Sequence, residues 1–366
     1  MSEENRLALL AGAGLTVDAG LPTSVQLAKR LRSALLEISQ SSEGGSTAVE
    51  GREQAEHWLS LFNFLDGGVR FQEGVLNRDP DMDVNIEQIA IAALELQARM
   101  TNPLAAYAAG WHRRIEQLEE KKPALLGSFV DFTYSRLQEW LALGDPKSAS
   151  YLRGLGELCI DGSALDIFTL NYDLCTETAL TAASLKFSNG FDSSGVWTPL
   201  AFNESAQVRL HKLHGSLDWV DDQIYGLCSL QFPRHENAET IKGDDVRPQL
   251  IFGTAHKLSA REPFLTLAYH FSQRVLRTKV MAVVGYSFGD EHINQIIEQG
   301  LKKNGRLRLV VVSPKADDLV HGQRFLDRNP RVTTIVAGAK TALNERLLTD
   351  RLREVLKDVS TEAPFS

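Results

Sequence analysis

Short apolar runs alternate along the chain with longer stretches of helical periodicity. Leu7 to Leu10, Leu165 to Leu170, Val208 to Leu213, Gln249 to Phe252, Val280 to Val284, Leu307 to Val312 and Val332 to Val336 are runs of four to six residues, mostly aliphatic. That length and composition suit strands buried on both faces. Between them, Val25 to Ile38 reads as an amphipathic helix, and Ser39 to Ser46 as a polar loop. From Val49 to Glu157 the pattern is helical throughout. Ile86, Ile89, Ala90, Ala93 and Leu94 share one face; Leu126, Phe129, Val130, Leu137, Trp140 and Leu141 share another. Trp58, Trp111 and Trp140 read as core. Ile293, Ile296, Ile297 and Leu301 mark a further helix, and Leu343, Leu347, Leu348, Leu352 and Val355 a terminal one before a tail from Ser360 to Ser366.

Strands separated by helices predict right-handed crossovers and an α/β fold, a Rossmann-like, mostly parallel sheet flanked by helices. The expected division is an α/β domain from residues 1–48 and 158–366, with 49–157 as a helical insertion on the first crossover. Polar or glycine residues follow nearly every apolar run: Gly12-Ala13-Gly14, Asn171-Tyr172-Asp173, His214-Gly215-Ser216, Gly285-Tyr286-Ser287 and Ser313-Pro314. An open α/β sheet places its ligand crevice at those carboxyl ends.

Composition narrows the classes. The 366 residues are 43% hydrophobic and 23% charged, ordinary for a globular protein, and the net charge of −8 gives no footprint for a nucleic-acid backbone. Met1 to Asn5 is polar and acidic, unlike a secretory leader, and no apolar run approaches the roughly 18–20 residues of a membrane helix. Cys159, Cys175 and Cys228 form no CxxC pair, which disfavours a disulfide framework and a four-cysteine zinc site. A reduced, cytoplasmic protein without a metal, a membrane or a direct nucleic-acid partner is expected.

The glycine turn after the first run lets backbone N–H groups approach an anion. Its spacing is neither the dinucleotide GxGxxG nor the P-loop, since no lysine follows the second glycine. A turn that needs glycine only for positive φ fits the same residues. Asn171 and Asp173 could equally cap the next helix, and a lone His214 could be structural. His211 and His214, three apart, point to opposite faces of a strand and make a poor metal pair.

Taken together these segments resemble the sirtuin, or silent-information-regulator, family. Gly12-Ala13-Gly14-Leu15-Thr16 followed by Ala19-Gly20-Leu21-Pro22 is similar to its opening. Thr169-Leu170-Asn171-Tyr172-Asp173 is similar to its TQNID segment, Leu213-His214-Gly215-Ser216 to its HG motif and Gly285-Tyr286-Ser287 to its GTS segment. The resemblance implies NAD+ as substrate. Asn171 would orient a water or ribose at the anomeric carbon, Asp173 would hydrogen-bond the nicotinamide carboxamide, and His214 would act as general base. Gly12, Ala13, Gly14, Thr16, Ser287 and Ser313 would hold the phosphates and the adenosine ribose. Asp18, Pro22, Tyr172, Gly285 and Tyr286 complete the implied NAD-binding set.

Two departures direct the expected reaction. The family's deacylases carry a four-cysteine zinc module and, after the AGIP-type segment, an Asp-Phe-Arg run that covers the nicotinamide site; here Thr23-Ser24-Val25 follows. Both point from deacylation toward hydrolysis of NAD+ to nicotinamide and ADP-ribose. The NYD form, HGSLDW and GYSFGDEHIN resemble the bacterial sirtuin-like proteins of anti-phage defence, which deplete cellular NAD+ when triggered. That branch implies a homo-oligomer or a regulatory partner encoded nearby, such as a translocase-type ATPase or another sensor. The alternatives are a non-catalytic NAD- or ADP-ribose-sensing subunit and an NAD-dependent protein deacylase.

Overall fold

Among the described residues, seven of nine strands lie side by side in one sheet, all parallel, because each is joined to its neighbours by crossovers and not hairpins. The structure is a computed structural model. It describes residues 6–42, 45–76, 79, 81, 83–101, 111–159, 163–203, 206–230 and 262–361, with the backbone alone for 98–101, 111–114, 203, 360 and 361. The apolar run Gln249 to Phe252 with Gly253 lies outside the described residues. The chain divides into two compact units, residues 1–21 with 142–366, and residues 22–141.

The larger unit holds β1 (Leu7–Ala11), β2 (Leu165–Thr169), β3 (Phe187–Ser188), β4 (Val208–Lys212), the hairpin pair β5 (Trp219–Asp222) and β6 (Gly226–Ser229), then β7 (Val280–Val284), β8 (Arg308–Ser313) and β9 (Val332–Val336). Sheet order is β3-β4-β2-β1-β7-β8-β9, so β1 is central, paired with β2 on one side and β7 on the other. Every residue of β1, β2 and β7 is buried, as continuous aliphatic runs require. Alternation along the strands sends Leu7, Leu9, Ile167, Leu210, Ala282 and Val310 into one core layer. Leu10, Phe168, Met281, Val283, Leu309 and Val311 enter the other.

In the chain order of the whole protein, the helices are α1 (Ser24–Ser39), α2 (Ser46–Val75), α3 (Ile86–Thr101), α4 (Trp111–Lys121) and α5 (Leu125–Trp140), followed by α6 (Cys175–Ala182), α7 (Phe264–Val275), α8 (Glu291–Lys303), α9 (Ala316–His321), α10 (Ala339–Asn344) and α11 (Leu347–Thr361). The first sheet layer is covered by a 3-10 segment, Pro146–Leu158, with α6, α10 and α11; α7 and α8 cover the second. The expected single terminal helix is two. Arg346 sits at φ +60°, a left-handed conformation that ends α10 and leaves Leu343 in a different helix from Leu347.

The smaller unit is a helical assembly in which α1, α2, α3 and α5 pack together. Thr23 and Gln26 close a reciprocal capping box at the start of α1, and Asn85 and Gln88 exchange the same pair of bonds before α3. The face of α5 runs through Leu126, Phe129, Val130 and Leu137. Trp58 is half-buried, stacked on Phe132 at 4.6 Å, and Trp140 is also half-buried. The side chain of Trp111 lies outside the described residues. The deeply buried tryptophan is Trp219, on β5 of the larger unit.

Candidate active site

Five neighbouring strands end in the residues singled out from the sequence. Along the sheet order they are His214 after β4, Asn171 to Asp173 after β2, Gly12 to Thr16 after β1, Gly285 to Ser287 after β7, and Ser313 at the end of β8. β1 continues to β2 on one side while β7 flanks it on the other, so this is the point where the sheet reverses its winding.

The two glycine turns interlock backbone to backbone. Gly12 N–H donates to Val284 O at 3.0 Å and Gly14 N–H to Gly285 O at 2.9 Å. A Cβ on Gly12 would lie 2.7 Å from Gly285 O, and one on Gly285 would lie 2.3 Å from the Gly14 carbonyl carbon. Gly12 has φ −112°, so its glycine is required by close approach and not by handedness; Gly285, at φ +65°, needs glycine for both. Leu15 N–H and Thr16 N–H close 3-10 turns on Gly12 O and Ala13 O. Of the amides from Gly12 to Thr16, Ala13's is therefore the one with no acceptor among the described residues. Two 3-10 turns, Ala13–Leu15 and Val17–Ala19, follow the glycine turn before α1 begins at Ser24, within one residue of the helix start expected at Val25.

Thr16, Asn171 and Asp173 converge. Asn171 donates from Nδ2 to Thr16 Oγ1 at 3.2 Å, and Thr16 Oγ1 lies 3.2 Å from Asp173 Oδ2 and 3.3 Å from Ala13 O, its two possible acceptors. Asp173 Oδ1 accepts from Cys175 N–H at 3.0 Å, so the carboxylate also holds the first turn of α6. Both of its oxygens are engaged within the chain and the residue is buried. Burial raises the Asp173 carboxyl above its ordinary value, and the Lys212 ammonium works against that rise.

Lys212, the last residue of β4, was not among the residues the sequence singled out. Its buried ammonium donates to Tyr172 O at 3.3 Å, to Asp173 O, and to Glu177 Oε1 at 2.9 Å. It thereby pins the Asn171-Tyr172-Asp173 turn from beneath. Nothing in the pattern distinguishes a strand-end lysine from a solvated one. Tyr172 is buried, and its carbonyl also accepts from Leu217 N–H at 3.1 Å, which ties the β2 turn to the one after β4.

His214 stands beside this group. Its ring is 6.3 Å, centroid to centroid, from that of Tyr172, and its Nε2 is 3.1 Å from Asp290 Oδ2. It is 2% exposed and borders a recess of about 340 Å³, open to solvent and lined also by Phe264, Phe271, His292 and Ile296. Asp290 is the second residue the sequence reading passed over, although an Asp ahead of Glu-His-Ile is a legible N-cap. Its Oδ1 accepts from His292 N–H at 3.0 Å and Ile293 N–H at 3.4 Å at the start of α8. Tyr286 folds over the same turn, its hydroxyl accepting from Asp290 N–H at 3.1 Å and lying 3.0 Å from Asp290 O and from Asn294 Oδ1.

The remaining residues have other settings. Asp18 is exposed and accepts from Lys340 N–H at 2.9 Å, at the start of α10. Ser287 is exposed, and Ser313 is half-buried with its hydroxyl accepting from Lys315 N–H at 3.2 Å. Pro22 is buried and opens the smaller unit ahead of the Thr23 cap. The three cysteines are free thiols. Among the described residues no three His, Cys, Asp or Glu side chains are grouped to hold a metal ion, and no helix is long and apolar enough to cross a membrane.

Comparison with known proteins places part of the chain. Residues 166–333 match the model of the SIR2-like domain family. A solved structure described as a Sir2 homologue–NAD complex is 15% identical, with a TM-score of 0.42 over 97% of this chain and 91% of that one. A mutant Sir2 homologue complexed with 2'-O-acetyl ADP ribose is 15% identical, with a TM-score of 0.41 over 99% and 96%. Sir2 bound to acetylated peptide is 11% identical, at 0.40 over 96% and 95%. No match was found among curated proteins.

Proposed function

We propose that this protein binds NAD+ across the carboxyl edge of its sheet and hydrolyses it to nicotinamide and ADP-ribose. The observation that carries the reading is the order of the strand ends. Base, amide, glycine turns and outer serine lie in a row spanning four inter-strand gaps, about 19 Å at ordinary strand spacing. A dinucleotide laid along that row meets the nicotinamide end at β4 and β2, and the diphosphate at the paired glycine turns.

Each residue then has a task that its position allows. The Ala13 N–H, which has no acceptor among the described residues, is the donor left for the diphosphate. Asn171, held by Thr16, presents its amide to the ribose or the attacking water. Cleavage of an N-glycosidic bond develops positive charge on the ribose, so fixed dipoles around it lower the barrier. Asp173 keeps Thr16 in place and Lys212 keeps the turn in place, both from within the chain. His214, held by Asp290 at Nε2, is the group assigned to take a proton from a ribose hydroxyl or water. Thr23-Ser24-Val25 stands in the sequence where the family's deacylases carry their Asp-Phe-Arg run, which favours water as the acceptor. The sequence resemblance to defence proteins supports the reading of an NAD-depleting effector, restrained by self-assembly or by a partner.

The test incubates the pure full chain with NAD+, alone and with the product of its neighbouring gene, and follows nicotinamide release. Asn171→Ala and His214→Ala should each lower release by at least about 100-fold. Unchanged release from either variant overturns the assignment. Tight NAD+ binding without turnover under every condition would replace it with the sensing role.

A further inference from the structure

Resting on that reading of His214, we infer that Asp290 is the positioning residue that fixes this imidazole for acid–base work. Its two carboxylate oxygens are divided between two tasks. Oδ1 caps α8 through His292 N–H and Ile293 N–H, while Oδ2 lies 3.1 Å from His214 Nε2. The cap makes the helix a rigid mount for the carboxylate, and Tyr286 fastens the same residue by its main-chain N–H and carbonyl. Both side chains of the pair are buried, His214 at 3% and Asp290 at 8% exposed, so water competes little for the bond.

The consequence is a fixed tautomer. A carboxylate accepts only, so a neutral imidazole facing it carries its proton on Nε2 and its lone pair on Nδ1. Without the carboxylate both tautomers become accessible and the ring can turn away from the productive orientation. Sequence distance hides the pair, since His214 follows β4 and Asp290 precedes α8.

The experiment uses the full chain labelled with ¹⁵N-histidine, with His214 assigned by loss of its signal in His214→Gln. In the wild type the imidazole nitrogen shifts should report the Nε2–H form. Asp290→Asn, an equally good helix cap, should keep thermal stability near that of the wild type while the shifts move toward a mixed or Nδ1–H form. Its kcat for nicotinamide release should fall about 10²–10⁴-fold with little change in KM, as expected for loss of an orienting carboxylate. Asp290→Ser, which retains a capping oxygen too short to reach His214, should behave the same way. An Nδ1–H tautomer in the wild type overturns the proposal, as does Asp290→Asn with unchanged shifts. The spectra decide this without turnover, so a wild type that shows the Nε2–H form yet releases no nicotinamide counts against the hydrolase reading and supports the positioning.

Discussion

Replacing Lys212 with methionine should cost about 3–5 kcal/mol at neutral pH, because it removes one partner of a fully buried ion pair. Lys212 and Glu177 are 1% and 4% exposed at the side chain, with Nζ 2.9 Å from Oε1. The same ammonium serves two carbonyls. Tyr172 O keeps Leu217 N–H as a donor after the change, whereas Asp173 O loses its charged one. The double variant Lys212→Met with Glu177→Met exchanges the ion pair for packing and retains only the loss at that carbonyl. It should therefore cost about 1–3 kcal/mol, less than the single variant. Burial already raises the Glu177 carboxyl, and Lys212 is the cation holding it down. Without the lysine its native pKa lies above its unfolded one. Stability gained from native protonation is then present at low pH and lost as pH rises through the native value, so Lys212→Met should be less destabilised at pH 5 than at pH 8. Urea denaturation of the two single variants, the double variant and the wild type, at both pH values, measures the coupling. Additive costs, or a Lys212→Met loss below about 1 kcal/mol, would refute the buried-pair argument.

Other consequences are separately measurable. Gly285→Ala places a methyl 2.3 Å from the Gly14 carbonyl carbon on a backbone at φ +65°, and should destabilise by about 2–5 kcal/mol in denaturant melts and abolish NAD+ binding in calorimetry. Burial lowers His211 from 6.5 to about 4, against the opposing pull of Asp166, so the unfolded chain binds a proton over that interval that the native chain does not. Stability should fall as pH drops from 6.5 to 4, by roughly 3 kcal/mol in all, and His211→Gln should flatten that slope in melts at stepped pH. Burial opposes ionisation of Asp166, but His211, Arg274 and Arg209 together bring it down to about 2. Its own contribution is accordingly lost at lower pH, between 3.8 and about 2. Asp166→Asn should cost about 3–5 kcal/mol at pH 7 by equilibrium unfolding. Treatment with EDTA should leave nicotinamide release unchanged in the coupled assay.

The sheet was legible because its strands are buried on both faces. The runs beginning at Leu7, Leu165, Val208, Val280 and Val332 are strands to within one residue at either end; β1 and β7 are uninterrupted aliphatic runs, while β2, β4 and β9 keep enough β-branched, leucine and aromatic residues to be seen through their polar positions. The hairpin Trp219–Ser229 escaped because Asp221, Asp222, Ile224 and Tyr225 break the alternation near the turn. Asn171, Asp173 and Thr16 announced themselves as polar residues beside buried strands, and the structure brings their side chains together. Lys212 and Glu177 gave no such sign, and Asp290 was legible only as a helix cap. Charged residues are read as solvated unless partnered, and their partners lie 35 residues away for Lys212 with Glu177 and 76 for Asp290 with His214. The glycine turn was legible as a turn, but its reason was not. Only the coordinates show that Gly12 and Gly14 yield space to Gly285.

That joint has a consequence for how the protein comes into being. Ala11 is made well ahead of its strand's partner β7, which begins at Val280. At about 5–20 residues per second, synthesis separates the two by roughly 13 to 54 s. Throughout that interval the glycine turn lacks the carbonyls of Val284 and Gly285 that shape it. A nascent chain that stops short of β7 therefore holds an unfinished joint, and the proposed dinucleotide cradle is completed only once Gly285 has been made.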